Sequence, residues 1–124
     1  MSRLLIVDDD EDNLNLFTAI LESFQFSVNP YSDPVNALLE FKPNYFDLVI
    51  LDYLMPSLNG IELSRKIKEI DKSVKIMILT ASHERIEISQ DGLDLKIVRK
   101  PVSIKNLIQE INSLISADIM KVPI

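Results

Sequence analysis

Asp8, Asp9, Asp52, Thr80 and Lys100 each close or follow a short, mostly apolar run. Leu4 to Val7 precedes the first acid pair, Leu48 to Leu51 precedes Asp52, and Ile76 to Leu79 precedes Thr80; Leu95 to Val98 leads through Arg99 to Lys100. If these runs are neighbouring parallel strands, their carboxyl ends bring carboxylates, a hydroxyl and an ammonium to one edge of a sheet. Carboxylate oxygens with water suit a hard divalent cation, and Mg²⁺ takes about six oxygens while keeping several as water. Like charges gathered at one edge are costly unless a cation neutralises them, which favours a metal over reading each acid as a helix cap. Asp10 and Asp12 do fit the capping role, facing the positive start of a following helix.

A carboxylate beside a metal can attack a phosphoryl group and form an aspartyl phosphate, and Asp52 is the candidate nucleophile. The backbone carbonyl of Leu54 is a further candidate metal ligand. Phosphoryl transfer asks for positive charge and hydrogen-bond donors on the equatorial oxygens more than for a strong base. Lys100 supplies the charge and Thr80 a hydroxyl donor. His83 is the single histidine, set between Ser82 and Glu84, and without a cysteine or second ligand nearby it supports neither zinc binding nor acid-base catalysis. Gly60 and Gly92 are the only glycines, so glycine-rich phosphate loops are absent.

Elements that could position these groups are legible in the hydrophobic pattern. Apolar runs alternate with segments of helical period, the signature of a parallel sheet covered by helices on both faces. Phe17, Ile20, Leu21 and Phe24 fall on one face of a helix after the first strand. Ser27 to Tyr31 reads as a second strand, followed by Asp33-Pro34, a good helix-start pair, and by an expected buried stripe of Val35, Leu38 and Leu39. Asp47 to Leu51 forms the third strand. Leu63, Ile67 and Ile70 mark the next helix, entered through a turn-forming loop from Pro56 to Gly60. The strongest helical period is that of Ile104, Leu107, Ile108, Ile111 and Ile115. Between Ser82 and Gly92 only Ile86 and Ile88 are apolar, at strand-like spacing, so the fourth helix that the topology requires there is expected to be short or distorted.

The 124 residues fit one domain, expected over 1–116, with 117–124 a tail and no output domain. A composition of 47% hydrophobic and 26% charged residues is that of a soluble globular chain, and a net charge of -6 disfavours nucleic acid or an anionic membrane as partner. The absence of cysteine excludes disulfides and thiolate chemistry. Without a stretch of roughly 20 apolar residues or a signal-peptide pattern, the expected location is the cytoplasm.

Taken together, Leu4-Leu5-Ile6-Val7-Asp8-Asp9-Asp10, Asp47-Leu48-Val49-Ile50-Leu51-Asp52, Met55-Pro56, Gly60, Leu79-Thr80-Ala81 and Lys100-Pro101 resemble the receiver domain of two-component response regulators. The resemblance covers nearly the whole chain. It implies a doubly wound α/β fold, a five-stranded parallel sheet of flavodoxin-like order 2-1-3-4-5. It also implies that Asp52 accepts a phosphoryl group from the phosphohistidine of a sensor histidine kinase or histidine phosphotransfer protein. Mg²⁺ would be held by Asp9, Asp52 and the Leu54 carbonyl, with Asp8 acting mostly through water, while Thr80 and Lys100 would bind the phosphoryl oxygens. Signalling would then run through a protein target that the sequence does not name, from a monomer or weak dimer. One departure is Ile97, where the family usually has Tyr or Phe three residues before the lysine; the weak Ser82 to Gly92 segment is the other. Output is therefore expected to be read differently, through ordering of that segment.

Rival readings are weaker. A phosphatase of the haloacid dehalogenase type needs an acid two residues after its nucleophile, and Leu54 stands there. A receiver-like docking module that has lost phosphorylation has no need of the intact Asp8, Asp9, Asp52, Thr80 and Lys100 set.

Overall fold

The protein is described from a computed structural model, which covers residues 2–81, 86 and 93–119, with backbone alone at 117–119. Strands β1 (Arg3–Val7), β2 (Ser27–Tyr31), β3 (Leu48–Leu51), β4 (Lys75–Thr80) and β5 (Lys96–Arg99) form one parallel sheet in the order β2-β1-β3-β4-β5. The helices are α1 (Glu11–Ser23), α2 (Pro34–Glu40), α3 (Gly60–Ile70) and α4 (Ile104–Ile119). This is the expected flavodoxin-like order. The expected short helix between Ser82 and Gly92 lies, apart from Ile86, outside the described residues.

Because side chains alternate across a strand, each central strand feeds two cores. Leu4, Ile6, Leu48, Ile50, Met77 and Leu79 face one side and meet Leu14 and Leu21 of α1 and Leu107 and Ile111 of α4. Leu5, Val7, Val49, Leu51 and Ile76 face the other, where Ala37 of α2 and Leu63 and Ile67 of α3 cover them.

One helical stripe differs in phase from the sequence reading, and two others stop short of it. In α2 the inward positions are Pro34, Ala37 and the partly buried Leu38, whereas Val35 is 40% and Leu39 77% exposed. The small Ala37 lets this two-turn helix sit close on the sheet, which turns the larger residues outward. In α1, Leu14 takes the inward place on the first turns, and Phe24 is the C-cap residue, 47% exposed. Ile70 ends α3 at 43% exposure for the same reason: the stripe runs out where the helix does. The last helix continues through Ile119, three residues into the segment expected to be tail, and Ala117, Asp118 and Ile119 include no helix breaker.

At the amino ends of the strands the loops are fastened by carboxylates. Asp71, 6% exposed, accepts the Asn44 N–H (2.8 Å) on one oxygen and the Ser73 N–H (3.1 Å) and hydroxyl (2.9 Å) on the other. Burial pushes its pKa up, but these donors and the Val74 N–H outweigh it, and the net shift is downward. The Asp47 carboxylate accepts the Arg3 N–H at 2.8 Å, while the Asp47 N–H donates to the Arg3 carbonyl.

Replacing Asp71 with Ala leaves these part-buried donors unpaired and should cost about 2–4 kcal/mol in urea unfolding at pH 7. A carboxylate with a depressed folded pKa stabilises fully above its unfolded value of 3.8 and loses that contribution as pH falls through the folded value. The gap between wild type and variant should therefore narrow below about pH 4, and equal stability at pH 7 would refute the fastening role.

Candidate phosphoryl and metal site

Backbone pairing sets this site before any side chain contributes. Val7 lies opposite Leu51, and Leu51 opposite Ile78, so β1, β3 and β4 leave the sheet side by side. The ladder extends one step further: the Asp52 N–H donates to the Val7 carbonyl at 3.0 Å, and the Asp8 N–H to the Tyr31 carbonyl at 3.1 Å. On the far side, the Lys100 N–H donates to the Thr80 carbonyl at 2.8 Å, and the Lys100-Pro101 peptide is cis.

Asp8, Asp9 and Asp52 each offer one carboxylate oxygen to a common point, with those oxygens within 4.8 Å of one another. Asp8 is buried, Asp52 half-buried and Asp9 exposed, so the cluster opens to solvent on the Asp9 side. Asp8 Oδ1 accepts the Asp10 N–H at 2.9 Å, and Asp52 Oδ1 accepts the Tyr53 N–H at 2.8 Å, which fixes both carboxylate planes. Asp10 turns away as the N-cap of α1, accepting the Asn13 N–H, as its type and place suggested.

Burial raises the Asp52 pKa to about 6, with the neighbouring Asp8 charge adding to it; the Tyr53 N–H and the Lys100 ammonium oppose the rise. Asp8 is also raised, by burial first, against the Asp10 N–H and Lys100. A cluster that resists its own ionisation is suited to a small divalent cation, and three hard oxygen donors with an open side match what Mg²⁺ requires.

Thr80, 1% exposed, is the last residue of β4, and Lys100 stands half-buried one residue beyond β5. The Leu54 side chain is 54% exposed on the loop after β3. Ile97 is half-buried in β5 opposite Ile78. His83 lies outside the described residues.

The cap on α3 was not singled out in the sequence, whereas Gly60 was. The Asn59 side chain accepts the Glu62 N–H while Glu62 accepts the Asn59 N–H, a capping box that the Asn-x-x-Glu pattern could have disclosed. Gly60 donates its N–H to the Tyr53 carbonyl at 2.8 Å, and a Cβ there would meet the Asp52 carbonyl oxygen at 2.5 Å. Only glycine allows α3 to begin this close to the Asp52 peptide.

The raised Asp52 pKa has a consequence for stability. The unfolded carboxyl ionises near 3.8 and the folded one near 6, so the folded state holds the proton longer and stability falls as pH rises through that interval. Asp52→Asn keeps the acceptor for Tyr53 but removes the charge. In chelator-treated protein at pH 7.5 it should be more stable than wild type by about 1–2 kcal/mol. This advantage should shrink by pH 5, and a less stable variant at pH 7.5 would contradict the account.

Comparison with known proteins agrees with this geometry. Residues 4–112 match the family described as response regulator receiver domain. The response regulator receiver protein CpdR of Brucella abortus is 30% identical over 120 residues, covering 94% of this chain and 99% of that protein. Other relatives are longer: the chain spans 51% of the CpxR homolog of Haemophilus influenzae, at 36% identity. A receiver domain protein from Clostridium thermocellum superposes with a TM-score of 0.83 at 26% identity, over 98% of this chain and all of that one. TrrA of Thermotoga maritima, solved in complex with Mg²⁺-BeF, has a TM-score of 0.78 at 30% identity over 92% of this chain and 99% of its own. TrrA has also been solved in complex with the histidine kinase ThkA, with a TM-score of 0.79. Among the described residues no helix is long and apolar enough to cross a membrane. This chain belongs to the response regulator receiver domain family, the receiver domains of two-component signalling.

Proposed function

We propose that the domain accepts a phosphoryl group on Asp52 from the phosphohistidine of a histidine kinase or phosphotransfer protein and signals through a protein partner that recognises the phosphorylated form. The observation that carries this reading is the common point shared by the Asp8, Asp9 and Asp52 oxygens at one edge of the sheet, with the Lys100 charge acting on both Asp8 and Asp52. The kinase complex of TrrA supports the choice of donor.

Asp8, Asp9, Asp52 and the Leu54 carbonyl would hold Mg²⁺. When bound, this ion supplies the countercharge that lets the carboxylates ionise together and draws charge from the phosphoryl oxygens. Ionised in this way, Asp52 is the nucleophile. One of its oxygens forms the new O–P bond as the P–N bond of phosphohistidine breaks, and the imidazole leaves with the electron pair. Lys100 and the Thr80 hydroxyl bind the equatorial oxygens, stabilising charge as it spreads there. In sequence, Leu54 and Ser82 match positions that tune the hydrolytic water in this family, and neither side-chain type positions water strongly, so slow loss of the phosphoryl group is the expected outcome.

Incubation with Mg²⁺ and acetyl phosphate should add one phosphoryl mass to the intact protein, and Asp52→Asn should abolish the adduct. Lys100→Ala should lower its yield at least tenfold, about 1.4 kcal/mol of lost stabilisation. After removal of the donor, the adduct should outlast a minute. An adduct that survives in Asp52→Asn would refute the assignment, and a half-life of seconds would refute slow loss.

A further inference from the structure

The Lys100 ammonium stands over the face of Phe17, 5.0 Å from the ring centroid. Phe17 projects from α1, partly buried against the core cluster that contains Leu79 and Leu107. One narrow cavity is lined by Phe17, Leu79 and Leu107 together with Asp8, Asp52 and Lys100, so the ring forms part of the wall on which the lysine rests.

Packing alone does not call for an aromatic residue here. Leu14 and Leu21, on the same inward stripe one turn to either side, fill the core with aliphatic chains. What a ring adds is a negative face that attracts a cation within about 6 Å. Lys100 benefits from that face because its ammonium is a compact charge on a flexible stem with rotatable donors, and attraction to the acids is not directional.

We propose that Phe17 is a positioning residue for Lys100: its ring face holds the ammonium at the acidic edge, in place for phosphoryl oxygens carried on Asp52. This rests on the reading of Asp52 as phosphoacceptor and Lys100 as the charge that meets it. In this role Phe17 would act through the lysine and not on the phosphoryl group or the metal.

The contact can be tested apart from phosphoryl chemistry. In metal-free protein the Lys100 ε-methylene protons should be shifted upfield by the ring current. Phe17→Leu should remove that shift, and Phe17→Tyr should keep it. In titrations with beryllofluoride at saturating Mg²⁺, Phe17→Leu should bind roughly three- to tenfold more weakly than wild type, with Phe17→Tyr restoring the affinity. Affinity for Mg²⁺ alone, for which the lysine is a repelling neighbour of the ligands and not one of them, should not fall in either variant. Absence of the upfield shift in wild type, or wild-type beryllofluoride affinity in Phe17→Leu, would overturn the proposal. Parallel loss of Mg²⁺ and beryllofluoride binding in Phe17→Leu would also overturn it, because a merely structural role predicts that pattern. Failure of the wild type itself to bind beryllofluoride would instead remove the phosphoacceptor reading, and the ring-current result would stand independently of it.

Discussion

The molecule is organised around a repulsion. Parallel pairing carries β1 and β3 to the same edge, and one further step of the backbone ladder sets Asp8 beside Asp52, where burial and the Asp8 charge make Asp52 harder to ionise. Nothing in the hydrophobic core requires acids there, since the strands are already paired and covered before the chain reaches them. The charge cluster is a cost carried by the fold, and what relieves it, a cation and the Lys100 ammonium, is also what a phosphoryl group needs on arrival.

That cost explains the care with which the surrounding backbone is placed. Asp8 and Asp52 are each held by a nearby N–H, which fixes their planes without neutralising their charge. The acids that follow, Asp10 above all, are spent as caps on α1, where the helix dipole favours negative charge. Gly60 brings the start of α3 against the Asp52 peptide, with the Asn59 and Glu62 box fixing where that helix begins.

Much of this was legible in the sequence, for reasons that differ by element. Strand ends were readable because buried parallel strands are continuous apolar runs, so the first charged residue after each run marks the edge. The caps at Asp10 and Asp33 were readable because they depend on a few adjacent residues. The phase of α2 was not: with only two turns, Val35 and Leu39 are as plausible an inward set as Pro34 and Ala37, and closeness to the sheet decides between them. Asp71 was illegible because its partner Asn44 lies 27 residues away. Phe17 was readable as an inward residue of α1, whereas its place under Lys100 depends on two elements that meet only in the folded chain.

The two ends of the sheet do different work. At the amino ends, carboxylates tie loops together: Asp71 accepts donors from Asn44 and Ser73, and Asp47 accepts the Arg3 N–H. At the carboxyl ends they are left wanting. Strands of four to six residues separate the two by roughly 15–20 Å. The domain is built like a cantilever, clamped at one end and loaded at the other, so charge can be added to or taken from the free end while the clamp stays closed.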